Sequence, residues 1–267
     1  MKTRTLILIG AAVFLVSLLL NTPGALLYSK LVKAPEGVGA QLTGIDGTIS
    51  EGGASSVLLN GQPLVTGLHW HFRPWALLLA RAAFNIDSSG SLTLEGKVAK
   101  LITGGLNLDD LRATGPLKTL LVITGDAYAP FDGQIGLKLD SARIRNGFVT
   151  SIEGELTINS LRSTLGAQPT VFGDLIARIT TTKDVITAKL EPLSGPLCLS
   201  GEVRVMSNRD YEIDVQVRAK PDAPETVRNQ IKLIGQPDAQ GYYRIRSSGN
   251  MGGATPAAQV PAPAIPQ

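Results

Sequence analysis

The sequence predicts a mainly β protein: a single N-terminal transmembrane helix, then a curved, largely antiparallel β-sheet domain with one or two short helices. Three observations predict it. Residues 5–29 carry no charge and centre on an apolar block at 6–20, and no second such run follows. Composition is the second: 29 glycines, 5% aromatic and 18% charged residues among 267 suit many short strands joined by tight turns and not a helical bundle. The third is period-two alternation of apolar and polar residues, which recurs from residue 41 to 250 and marks strands with one dry and one wet face.

Taken in order, Lys2 and Arg4 precede the apolar block. With residues up to 27 it supplies the roughly 20 apolar positions a helix needs to span a bilayer. Positive charge ahead of the span keeps the N-terminus in the cytoplasm and places the body on the far side. Pro23 bends or ends the helix, and Tyr28 suits the headgroup level. No clean small-x-small pattern follows, which favours an uncleaved anchor over a cleaved signal peptide. Residues 1–30 are therefore read as cytoplasmic stub and transmembrane anchor, and 31–40 as linker. Residues 41–250 are read as a periplasmic β-rich domain, and 251–267 as a disordered Gly/Ala/Pro tail.

Within the domain, residues 41–50 alternate and break at Gly52 and Gly53. Residues 56–60 form a strand that Asn60 and Gly61 turn back into 64–71. Pro74 opens an apolar segment, 75–80, read as one or two helical turns packed on the sheet. Residues 82–86 and 91–99 pair around 88–90. Residues 106–112 fit a strand end or a short helix, and 117–121 a helical connector. Ile135, Leu137 and Leu139 share one face of the next strand. Asn146 and Gly147 turn it into 149–158, and 163–173 is a less regular crossing. Strands at 175–181 and 185–190 pair across Lys183 and Asp184. A strand at 197–205 leads into 211–219, where Tyr211, Ile213, Val215 and Val217 alternate with Glu212, Asp214, Gln216 and Arg218. Residues 224–234 form a helix with Val227, Ile231 and Ile234 on one stripe and Gly235 as its cap. A last strand occupies 241–249. An apolar-x-apolar-x-Gly pattern at 92–96 and 197–201, looser at 131–135, suggests repeated hairpins of one meander.

A net charge of +3 with scattered cations excludes a nucleic-acid footprint. The single cysteine, Cys198, forms no internal disulfide and reads as a buried, inert thiol. An exported chain without paired cysteines points to a bacterial envelope. The two histidines, His69 and His71, share a strand face around Trp70, but no third metal ligand accompanies them. The adjacent Asp109 and Asp110 read as a loop cap, and Glu153 with Glu155 as a solvated face. No nucleophile elbow or phosphate loop is present. No catalytic, cofactor-binding or metal-binding residue is assigned, and no cofactor is expected.

The order of pieces is more specific. Thr43, Gly44, Gly47 and Gly52 follow the anchor in a Thr-Gly…Gly…Gly pattern, one residue off the family spacing. Trp70, Pro74, Leu77 and Leu78 form a Trp-x-x-x-Pro-x-x-Leu-Leu element, with Trp75 inside it. Gly201 to Val205, the helix at 224–234 and Gly241 to Ile245 follow in turn. In this the chain resembles the type II secretion system protein N (general secretion pathway protein N) family. The resemblance implies an inner-membrane accessory of the machine that exports folded proteins from the periplasm through an outer-membrane secretin, without catalytic residues. It implies as partners other secretion subunits, including the inner-membrane platform and the secretin, together with inner-membrane lipid and a second copy of the chain. It also implies a body similar to the lipid-associated AsmA-like proteins. Thr43, Gly44, Gly47, Trp70, Pro74, Trp75, Leu77 and Leu78 are the candidate partner-contact or structural residues. Two functions compete: an assembly subunit acting through protein contacts, and a periplasmic lipid-binding or lipid-transfer module with an apolar groove. A hydrolase, the third class, lacks a convergent polar site.

Overall fold

The computed structural model describes residues 22–23 and 40–251, apart from positions 60, 80, 91, 102–103, 125, 127 and 167. The expected anchor, apart from Thr22 and Pro23, lies outside the described residues, as do most of the linker and nearly all of the tail. Among the described residues no helix is long and apolar enough to cross a membrane.

Thirteen strands form one sheet: β1 (Ala40–Gly47), β2 (Glu51–Leu59), β3 (Gln62–Arg73), β4 (Arg81–Ser89), β5 (Thr93–Leu101), β6 (Leu106–Pro116), β7 (Phe131–Arg145), β8 (Phe148–Ser163), β9 (Thr170–Thr182), β10 (Val185–Ser194), β11 (Leu197–Val205), β12 (Asp210–Ala219) and β13 (Tyr243–Asn250). Each strand lies beside its sequence neighbours, and every pairing is antiparallel. The repeated hairpins of the sequence are thus a single meander.

Because strand direction alternates, connections fall alternately at two ends. One, the turn end, holds the β1–β2, β3–β4, β5–β6, β7–β8, β9–β10 and β11–β12 connections. The other, the helix end, holds the two α-helices of the described residues: α1 (Leu117–Thr124) after β6 and α2 (Glu225–Ile231) after β12.

One sheet face is apolar, and the helices cover parts of it. Leu117 of α1 is buried with Val65, Ala113 and Ile135. Val227 and Ile231 of α2 pack with Phe172, Leu197, Val217 and Tyr243. A third cluster joins Leu111, Leu139 and Ala142. On β12, Val215 and Val217 are buried while Glu212 and Gln216 are exposed, as the alternation predicts.

Four expectations need correction. Residues 106–112 are neither strand end nor helix but the start of the eleven-residue β6. A bulge there sets Glu95 opposite Arg112 but Lys97 opposite Asp109. Asp110 adopts φ +51° at the bulge, so the apolar positions run 106, 108, 111, 113, a spacing that imitates a helix. Asp109 and Asp110 therefore sit within a strand, not in a loop. The stripe of α2 ends early: the chain passes into a 3₁₀ turn, Lys232–Ile234, and the changed periodicity leaves Ile234 exposed,. Cys198 is only half-buried, in β11 opposite Arg218.

Candidate functional site at the turn end of the sheet

The candidate residues of the first motif gather at the start of the sheet. Gly47 pairs with Gly52, and Gly52 pairs with Trp70, so the three are consecutive partners across β1, β2 and β3. Gly44 and Gly47 adopt φ +61° and +73°, a region open to glycine at little cost. At Gly52 the requirement is space: a Cβ would stand 2.6 and 2.7 Å from the carbonyl oxygens of Asp46 and Thr48, and 2.8 Å from the Trp70 ring. The Trp70 indole lies against this bare backbone, and its Nε1–H donates to the Thr48 carbonyl at 3.1 Å. Thr43 Oγ1 donates to the Ser56 carbonyl at 3.3 Å. These residues form a clasp that ties the first hairpin to β3.

The clasp also holds the incoming chain. Pro23 bridges Thr48, and the Ile49 N–H donates to the Thr22 carbonyl at 3.3 Å. The Thr22–Pro23 stretch therefore meets the body at the turn end, while β1 itself starts at the helix end with Ala40. Sequence reading missed Thr48, whose carbonyl accepts from Trp70 while its hydroxyl bonds Ser50 and Glu51 within the turn.

The second motif lies at the same end. β3 runs past Trp70 into Phe72, whose ring meets Phe84 with centroids 5.3 Å apart. It then enters a 3₁₀ turn, Pro74–Leu79. The turn packs on β4 as expected, but Trp75 is 80% exposed and Leu77 is also exposed. In a three-residue repeat only one row of side chains faces the sheet, and Ala76, half-buried, belongs to it. Leu78 continues the turn, with its side chain outside those described.

Trp75 and Ala76 border a depression of about 330 Å³ on the polar face, with Arg73, Arg81, Ala83, Lys97, Ala99, Asp109 and Asp110. Ala83 and Ala99 are buried, and their small side chains let the turn lie close. Lys97 Nζ donates to Asp110 at 2.5 Å. That hydrogen bond, then the ammonium charge, holds the Asp110 carboxyl below its ordinary 3.8. Arg73 and Arg81 take part in no ion pair among the described residues.

Further along the turn end, the apolar face opens into a groove of about 520 Å³. Ile152, Ile179, Ile186, Ala188 and Val205 line it from β8 to β11, with Phe148 beneath the Arg209 guanidinium, 3.5 Å from the ring centroid. His69 and His71 are exposed on the polar face. Among the described residues no group of three or more His, Cys, Asp or Glu is placed to hold a metal.

A protein-family model described as type II secretion system (T2SS), protein N, matches residues 38–246. The chain belongs to this family. It is 27% identical over 252 residues to the type II secretion system protein N of Vibrio cholerae serotype O1, covering 91% of this chain and 97% of that protein. Against the type II secretion system protein N of Aeromonas hydrophila the identity is 26% over 259 residues, covering 94% and 100%. No solved structure matches the chain. The clasp, the Trp75 turn and the groove all fall within the matched residues, Met251 at the rim of the groove excepted.

Proposed function

We propose that this protein N is an assembly subunit of the type II secretion machinery. Its N-terminal segment holds it in the inner membrane, its body lies in the periplasm, and it works by contact with other secretion subunits. The observation that carries this reading is the last strand. Among the described residues β13 pairs with β12 alone, so its other edge presents backbone donors and acceptors that a partner strand can take. Exposed apolar side chains accompany it: Ile245 on β13, and Leu233 and Ile234 on the adjoining 3₁₀ turn, Leu233 being 76% exposed. A photocrosslinking residue at Ile245 or Leu233 in living cells tests it. Adducts with the inner-membrane platform or the secretin are expected; envelope fractions that yield adducts with no secretion subunit overturn the proposal.

A second reading, lipid binding, is favoured by the apolar groove and by α1. Four strand spacings in a flat sheet would separate β3 from β7 by about 19 Å. The helix is eight residues, about 12 Å long, and touches both strands. We take the sheet to be curled around it, with the groove as the open part of its concave face. Under this reading Ala188→Trp fills the groove and lowers the phospholipid that co-purifies with the protein. Unchanged lipid content measured by mass spectrometry would end it.

A further inference from the structure

We infer that the turn end of the sheet faces the bilayer and that the Trp75 turn docks on its anionic headgroup layer, a reading that rests on the anchored subunit proposed above. Three observations carry it. The first is where the chain enters the body: Thr22 and Pro23 lie against Ile49 and Thr48. Residues 5–20 before them contain no charged side chain, so the end that receives this segment is the end nearest any membrane it spans.

The second is exposure at that same end. The β1–β2 connection ends where Ser50 accepts from the Phe72 N–H. β3 continues to Arg73 and then into the turn, which lies over Ala83 and Ala99 and leaves Trp75 bare at the end where the N-terminal stretch meets the body. An 80% exposed tryptophan beside exposed Leu77 is costly in water, whereas the amphipathic indole is favoured at the membrane–water interface.

The third is charge. Arg73 and Arg81 bracket the turn, and Lys100 is exposed on β5 at the same end, its neighbour Ala99 sharing the depression. Asp109 and Asp110 also border the depression, but Asp110 is taken by Lys97; Arg73 and Arg81 then stand against the one carboxylate of Asp109, a net positive charge beside Trp75. Cations flanking an interfacial aromatic match phosphate-bearing headgroups, whose attraction falls off within a Debye length.

The test uses the full chain in vesicles of phosphatidylethanolamine, with and without phosphatidylglycerol, carrying lipids brominated just below the headgroups. Flotation after an alkaline wash reports anchoring, and quenching of tryptophan emission reports docking. The protein is expected to float, with quenching that Trp75→Ala lowers at least about twofold, Trp75 being the interfacial indole. The pair Arg73→Glu and Arg81→Glu is expected to lower quenching at least about twofold in phosphatidylglycerol vesicles only, since those cations act through anionic lipid. Thermal melts of both variants are expected to match the parent, because Arg73 and Trp75 are exposed and Arg81, half-buried, is in no ion pair among the described residues. Failure to float removes the anchored reading and this inference with it. Flotation with quenching untouched by Trp75→Ala overturns the docking inference alone. Quenching independent of phosphatidylglycerol overturns the anionic headgroup, and a crosslink from position 75 to a secretion subunit in native membranes, with no quenching in vesicles, assigns the turn to a protein.

Discussion

Within the clasp, Gly52 leaves no room for a single methyl group. Its Cβ would meet two carbonyl oxygens and the Trp70 ring within 2.8 Å, and two of those three obstacles are backbone. Gly52→Ala is expected to lower stability by about 1–3 kcal/mol through overpacking, read from the denaturation midpoint. Gly61, whose Cβ would meet nothing within 4 Å, has only its φ of +79° to defend, so Gly61→Ala costs about 1 kcal/mol. Asp214 shows a different dependence. It accepts 2.7 and 2.5 Å hydrogen bonds from Arg244. These, then the charges of Arg244, Arg246 and Arg204, hold its carboxyl below 3.8. Asp132 is lowered mainly by the hydrogen bond from Arg162, and Asp174 by that from Ser194. A depressed carboxyl contributes its stability in full above the unfolded value and loses it as pH falls through the folded one. Acid weakening from these sites is therefore expected to begin only below about pH 4. Asp214→Asn should flatten that limb in a circular-dichroism titration.

At the scale of elements, α2 is short and depends on what it covers. Val227 is 1% exposed in the cluster with Phe172 and Tyr243. Val227→Ala is expected to cost about 2–3 kcal/mol from lost burial and the cavity left behind. Ile234→Ala, on the exposed 3₁₀ turn, should stay within about 0.5 kcal/mol; parallel thermal melts check both. The contrast shows what was legible in the sequence. Strict alternation on β12 and the Val227–Ile231 spacing reflect burial that each segment needs on its own, so periodicity reported them. The Asp110 bulge hid a strand because one extra residue breaks the period. Which side chains of the Trp75 segment would pack was not legible, because apolar composition cannot say which row of a short 3₁₀ turn faces the sheet. Thr48 and the two arginines at the turn had no signature, since register alone brings them to the entry point of the chain.

For the molecule as a whole, the last strand, proposed above as a contact surface, is also a cover. Truncation after Pro237 removes β13 and with it Tyr243 from the core around α2, and leaves β12, with its buried Val215 and Val217, as a bare edge. Such an edge pairs with other copies, so the truncated chain is expected to elute as aggregate in size-exclusion chromatography. The meander has a further consequence, for how the fold is made. Every strand docks on the one just synthesised, so loops to be closed are short and contact order is low for an all-β chain. A chain emerging N-terminus first extends its sheet one hairpin at a time, each finished strand serving as template for the next. The clasp of Gly47, Gly52 and Trp70 completes the first such template, and the sheet grows from β1 toward β13.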